Sequence, residues 1–143
     1  MEQFIESDTF AIILVICIFA GIIIFFKWYF GGKWVNKIRI PTHLPKEGFL
    51  VQLVGVSSLL SHNSLFPKIK LFENYFEYRI LLKKKINYSD LAKIEVIKYS
   101  IMPKDIIIYI NNGGRLWLAP GNEQNLNELV KFFNAKANLL DRK

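Results

Sequence analysis

The longest apolar stretch of the chain lies close to its N-terminus. From Phe10 to Phe26 the sequence FAIILVICIFAGIIIFF contains no charged and no strongly polar side chain, and residues 9–30 extend this stretch on both sides. A helix rises about 1.5 Å per residue, so residues 9–30 would span about 33 Å, close to the roughly 30 Å of a bilayer's hydrocarbon core. The pattern therefore predicts a single transmembrane helix over residues 9–30.

Two other interpretations of this stretch are disfavoured. A cleaved signal peptide carries bases before its apolar part, whereas the charges found there are Glu2, Glu6 and Asp8, and no small-x-small cleavage site follows Phe26. A core helix that is apolar on all sides would need a covering partner larger than the rest of this chain. The stretch is therefore interpreted as an anchor.

The residues on the two sides of the stretch predict its orientation. No Lys or Arg precedes Lys27, and aromatic side chains interleaved with bases follow it, which is typical of a cytoplasmic membrane interface. The predicted membrane-interface residues are Lys27, Trp28, Tyr29 and Trp34. We expect the N-terminal tail to lie outside the cell membrane and the rest of the chain on its cytoplasmic side, with Gly31 and Gly32 loosening the exit from the helix.

The segment after the anchor differs in composition from the rest of the chain. Residues 31–47 contain two Gly and two Pro among mixed charges, which predicts a juxtamembrane linker. We therefore divide the chain into a tail and anchor (1–30), a linker (31–47) and a folded domain (48–143). The part that follows the anchor is long enough for one small domain with one core.

Alternation of apolar and polar residues predicts a series of short strands in this domain. The run over 48–60 is rich in Val and Leu but poorly phased, and residues 57–67 have the composition of a loop. Asn111 to Gly114 supply the residues that a tight hairpin turn needs. The clearer strands are predicted over 68–71, 75–82, 85–88, 93–99, 105–110 and 115–118. We expect an antiparallel meander of six or seven strands.

The apolar spacing changes from strand-like to helical near the end of the chain. Pro120 and Gly121 end the last strand, Asn122 is a suitable N-cap, and apolar residues then recur at helical spacing. The predicted apolar stripe comprises Leu126, Leu129, Val130, Phe133 and Ala137. An amphipathic helix packed on the sheet gives an α+β, mainly β, fold class.

The order of these elements resembles that of the bacterial pleckstrin-homology-like (PH-like) domains. The segments LFENYFEYR, KKINYSDLAKIEV and LWLAPGNEQNLNELVKFF carry the resemblance, which covers roughly residues 66–137. An I-x-Y-x-D-L step of that family is matched by Ile86, Tyr88, Asp90 and Leu91, for which we expect a structural role. The resemblance implies a PH-like antiparallel β-barrel or sandwich with a C-terminal capping helix, often preceded by membrane helices. Residues 48–60 match no part of the family pattern, and the resemblance implies little about the ligand.

Few residues of the chain have the pattern of a catalytic or metal site. Cys17 is the only cysteine and lies in the apolar stretch, so neither an intramolecular disulfide nor a cysteine-based zinc site can form within one chain. His43 and His62 have no acidic partner at ligand spacing, and the carboxylates are not paired. We therefore expect no enzymatic activity, no metal and no cofactor.

The candidate contact residues are basic. The net charge is +7, and Lys83, Lys84 and Lys85 form a consecutive run that Lys68 and Lys70 join from a neighbouring strand. Beside an anchor, such charge favours an anionic leaflet over nucleic acid, which is not expected as a partner. A solubilising hairpin tip is the other interpretation of the run.

These observations predict a membrane-anchored, non-enzymatic binding module at the cytoplasmic face of the cell membrane. Its expected ligand is a protein partner or an anionic lipid surface. Two other functions remain open: a small self-protection (immunity-type) or stress membrane protein, and an accessory subunit of a membrane complex.

Overall fold

The computed structural model describes the backbone of residues 2–58, 67–100 and 103–140, and their side chains except those of 2–7 and 139–140. Residues 59–66, which include His62 and most of the loop predicted over 57–67, lie outside the described residues, as do the side chains of Glu2 and Glu6. The elements in chain order are α1 (Glu2–Phe30), β1 (Phe49–Gln52), β2 (Gly55–Ser58), β3 (Lys68–Leu71), β4 (Tyr75–Arg79), β5 (Lys83–Asn87), a 3₁₀ turn (Tyr88–Asp90), β6 (Leu91–Ile97), β7 (Asp105–Ile110), β8 (Arg115–Ala119) and α2 (Glu123–Leu140).

Helix α1 contains the predicted apolar stretch. Its segment Asp8–Phe30 has a mean hydropathy of 3.1, and no part of that segment's most apolar window is buried inside the molecule. By length and composition it is a candidate membrane span, and it is the one such helix among the described residues. Large apolar side chains from Phe10 to Phe26 are exposed along it.

The end of α1 is a tight helix stop rather than a loosened exit. Gly32 has a φ of +65°. Its N–H donates to the Tyr29 carbonyl, and the Lys33 N–H donates to the Trp28 carbonyl, which together form a Schellman motif. The expectation that Gly31 and Gly32 loosen the exit is wrong, because a glycine at this left-handed position ends the helix in one defined geometry.

The strands form two four-stranded antiparallel sheets that are not closed into a barrel. Sheet A has the order β1-β3-β4-β5 and sheet B the order β2-β8-β7-β6. Three consecutive strands in each sheet form a meander, but β1 pairs with β3 and β2 pairs with β8. The described part of the run predicted over 48–60 therefore forms two strands, β1 and β2, one in each sheet. Leu53 and Val54 are both buried where the chain turns between them, and this breaks the two-residue period.

Helix α2 packs its apolar stripe on the core, as predicted. Leu126, Leu129 and Phe133 are buried. The ring centroids of Phe133 and Phe76 lie 5.2 Å apart in an edge-to-face contact. The Asn122 side-chain oxygen accepts the N–H of Asn125 at 2.9 Å, which confirms the predicted N-cap.

Tyr88, between Ile86 and Leu91, lies in the core. Tyr88 is buried, and its hydroxyl donates to the Phe72 carbonyl at 2.8 Å. Burial, together with the negative charge of Glu73, raises the pKa of Tyr88. Ile86 is also buried, and the Tyr88 ring contacts those of Phe76, Phe132 and Phe133, so the I-x-Y-x-D-L step packs between sheet A and helix α2, in line with the structural role expected for it.

Candidate functional site

The outer face of sheet A carries most of the predicted contact residues. Val51, Ile69 and Phe76 are buried, so their neighbours along the strands point away from the core. The bases of this outer face, named here the basic face, are Lys68, Lys70, Arg79, Lys83 and Lys85. A groove of about 540 Å³ crosses it, lined by Gly48, Leu50, Lys68, Ile69, Lys70, Glu77, Tyr78, Arg79 and Lys83.

One carboxylate lies among these bases. The strand register places Glu77 between Lys70 on one side and Lys85 on the other. The Lys83 ammonium pairs with Glu77 at 2.8 Å. Since a single acid cannot neutralise five bases, the basic face keeps a positive charge that can attract an anionic ligand.

The lysine run Lys83 to Lys85 is divided between two surfaces. Lys83 and Lys85 lie on the basic face, whereas Lys84 is level with Tyr78 and points to the other side of the sheet. There it lines a second cavity, of about 420 Å³, with Leu81, Leu82 and Arg115 at the open end of the two sheets. The structure thus brings Lys68, Lys70, Lys83 and Lys85 together and leaves Lys84 apart.

The outer face of sheet B has a more balanced charge. Glu95 lies between Lys93 and Tyr109 and accepts a hydrogen bond from the Tyr109 hydroxyl at 2.9 Å. This hydrogen bond, with the positive charge of Lys93, lowers the pKa of Glu95. Basic character is therefore concentrated on sheet A and is not a uniform property of the domain surface.

A short segment joins α1 to the domain through side chains of α2. Residues 35–40, named here the strap, run beside the first turns of this helix. The Asn125 amide is fully buried: its oxygen accepts the Ile38 N–H at 2.8 Å, and its nitrogen donates to the Asn36 carbonyl at 2.9 Å. One side chain thus satisfies two backbone groups of the strap, as a neighbouring strand would.

Two further side chains of α2 bind the strap. Gln124 donates to the Ile38 carbonyl at 2.8 Å, and Glu128 accepts the Ile40 N–H at 2.9 Å. Val35 is buried, and Ile38 and Ile40 pack against the core. Part of the segment predicted as a linker over 31–47 is therefore hydrogen-bonded to the domain and packed on it.

A contact between two glycines lies next to the strap. Gly121, in the turn between β8 and α2, has a φ of +85°. A Cβ on Gly32 would lie 2.3 Å from the Gly121 carbonyl oxygen, and a Cβ on Gly121 would lie 2.6 Å from a methyl group of Val54. The end of α1 and the domain approach so closely here that neither position has room for a side chain.

The predicted membrane-interface residues cluster at the end of α1. The Trp34 indole N–H donates to the Tyr29 carbonyl at 2.9 Å, and the two rings stack with centroids 5.5 Å apart. Trp28 and Lys27 are exposed on the last turns. The structure thus brings all four residues to the junction between α1 and the strap.

Asn125 is a residue that sequence reasoning missed. It lies four residues before Leu129 and eight before Phe133, in line with the buried stripe of α2. A polar residue at an apolar position of an amphipathic helix signals a buried hydrogen-bonded group. Its partners could not be identified in this way, because they lie 87 and 89 residues away in sequence.

The basic face carries positive charge, and the strap holds the domain beside the end of α1. Among the described residues there is no cluster of His, Cys, Asp and Glu that could hold a metal ion, and His43 is exposed. Burial raises the pKa of Asp105, but the hydrogen bond with Tyr99 acts against this effect.

Compared with known proteins, the sequence matches no family model and has no significant match among curated proteins.

Proposed function

We propose that this protein is a membrane-anchored, non-enzymatic binding module. Helix α1 is its single-pass anchor, with the N-terminus outside and the domain at the cytoplasmic face of the cell membrane. The domain holds its basic face against the anionic leaflet, and the strap maintains that position. Lipid headgroups are thus the primary ligand of the basic face.

The exposed surface of α1 supports the anchor. Apolar side chains from Phe10 to Phe26 have no cover within the molecule, and in water such a surface would cause association. A bilayer covers it fully. Lys27 and the aromatic residues Trp28, Tyr29 and Trp34 lie at the end where bases begin, and this supports the cytoplasmic placement of the domain.

The topology supports a PH-like scaffold for the module. Two antiparallel sheets with a C-terminal helix packed on their core, preceded by a membrane helix, are the arrangement that the resemblance implies. The strand pair β1 and β2 acts as one bent strand shared by both sheets. A scaffold of this kind buries the inner faces of its sheets and leaves their outer faces available for binding.

The observation that carries the proposal is the concentration of bases on one sheet beside an anchored junction. A Lys near an anionic leaflet is worth about 1 kcal/mol of attraction, and this attraction falls off within a Debye length of about 8 Å. A basic face is useful for such contact only if the domain stays close to the leaflet. Docking of the strap on α2 provides that proximity.

Charge reversal on the basic face is expected to release it from the leaflet. Lys68→Glu, Lys70→Glu and Lys83→Glu together remove about 3 kcal/mol of attraction, or about a hundredfold in the contact equilibrium. The measurement uses the full chain with Cys17→Ser in nanodiscs and a fluorophore at Gln52→Cys, an exposed position on the same sheet face. Energy transfer to headgroup acceptors should be high in anionic discs and low in neutral ones.

The matched control reverses three bases outside the basic face. Lys93→Glu, Lys98→Glu and Lys131→Glu, all at exposed positions, change the net charge by the same amount and should leave energy transfer in anionic discs nearly unchanged. Equal transfer in neutral and anionic discs, or equal losses in the two triple variants, would contradict a contact made by the basic face.

A further inference from the structure

The hairpin between β4 and β5 carries two leucines in an unusual position. Leu81 is 79% exposed and Leu82 is 75% exposed, whereas Leu50, on the basic face, is 48% exposed. Hairpin turns are usually made by Gly, Asn, Asp or Ser. The neighbouring β7–β8 turn follows this rule with Asn111 to Gly114. The geometry of a turn therefore does not explain two exposed leucines at this tip.

Bases surround the leucine pair. Arg79 and Lys83 face each other across the base of the hairpin, and Lys84 and Arg115 line the cavity that Leu81 and Leu82 share. Among the residues that the structure describes, no carboxylate lines that cavity. An apolar tip surrounded by bases is the composition of a surface that enters the headgroup region of an anionic bilayer, where leucines reach the acyl boundary and bases meet phosphates.

We infer that the Leu81–Leu82 tip inserts into the anionic leaflet as a second membrane attachment of the domain. This inference rests on the proposed function, because α1 must hold the tip near a bilayer. Tethering makes insertion an intramolecular step, so a contact too weak to bind a free domain is sufficient here. A purely acidic protein surface would match the bases but would offer the two leucines no apolar counterpart.

The two attachments determine how the domain lies on the membrane. Gly121, which Gly32 approaches closely, lies two residues after the end of β8, whereas Arg115, beside the leucine tip, is the first residue of β8. A five-residue strand is about 16 Å long. For both ends to reach one leaflet, β8 lies closer to the membrane plane than to its normal.

The experiment places an environment-sensitive fluorophore at Leu82→Cys in the full chain with Cys17→Ser. The chain is reconstituted in nanodiscs of phosphatidylcholine, with or without phosphatidylserine, that contain lipids brominated on the acyl chain. In anionic discs we expect blue-shifted emission and strong quenching. The same fluorophore at Lys93→Cys, on the outer face of sheet B, should stay in water and be quenched little.

A second variant tests the leucines without a label at the tip. Leu81→Ser with Leu82→Ser, both exposed positions, should lower the energy transfer from Gln52→Cys to headgroups by reducing the contact equilibrium about tenfold. If the fluorophore at Gln52→Cys lies near the headgroups while the one at Leu82→Cys stays unquenched, the tip does not insert into the leaflet. The proposed function then still holds, and the leucine pair would instead contact a protein partner. If neither label approaches the lipid, both proposals fall.

Discussion

Asn125→Ala is expected to lower the free energy of unfolding of the domain by about 2–4 kcal/mol. The change leaves the Ile38 N–H and the Asn36 carbonyl without their partner, and a buried polar group without a hydrogen bond costs about 1–3 kcal/mol. The loss is a large fraction of the roughly 5–15 kcal/mol that stabilises a domain. Chemical unfolding of the full chain in detergent micelles, followed by tryptophan fluorescence, measures it.

Asn134→Ala is the matched control for this prediction. Asn134 lies on the same helix and is exposed, so the identical chemical change should alter the free energy of unfolding by only a few tenths of a kcal/mol. Equal effects of the two substitutions would mean that the strap contributes little to stability.

Gly32→Ala is expected to separate the end of α1 from the domain. A side chain there requires an unfavourable left-handed backbone, which costs about 1–2 kcal/mol, and its Cβ would overlap the Gly121 backbone, which costs about 1–3 kcal/mol more. The strap should then detach part of the time. Trypsin cleavage after Lys37 or Arg39, both exposed in the strap, should become several times faster than in the unchanged protein.

Gly113→Ala separates the cost of the left-handed backbone from the cost of the overlap with Gly121. Gly113 also has a left-handed φ, +87°, but a Cβ there would meet nothing within 4 Å. Gly113→Ala should therefore lower the free energy of unfolding by the backbone strain alone and leave the rate of trypsin cleavage in the strap unchanged. If Gly32→Ala is no more destabilising than Gly113→Ala, the close approach to Gly121 does not hold the two parts together.

Regular parts of the fold were predictable because each follows one physical period. The apolar length of α1, the alternation in β3 and β4, and the stripe of α2 with its N-cap at Asn122 were all predicted from local spacing. From the sequence alone, the run over 48–60 could not be divided into individual strands. Its described residues form β1 and β2, which belong to two different sheets, so no single period describes the run.

The strap and the exact composition of the basic face were harder to predict for different reasons. Gly31 and Gly32 precede the strap and Pro41 follows it, a composition typical of a linker, and the strap's hydrogen-bond partners come from the far end of the chain. The lysine run at 83–85 was predicted as one cluster. Strand geometry separates Lys84 from Lys83 and Lys85, because successive side chains point to opposite faces.

The strap joins α1 and the domain into one unit, and we propose that this unit fixes the basic face relative to the membrane. Distances between spin labels at Ile24→Cys and Gln52→Cys, measured by pulsed electron resonance on the full chain with Cys17→Ser in nanodiscs, test it most directly. The docked strap predicts a single narrow distance distribution, because hydrogen bonds and buried side chains hold the junction in place. A broad distribution, as a flexible linker over 31–47 would give, would contradict the claim.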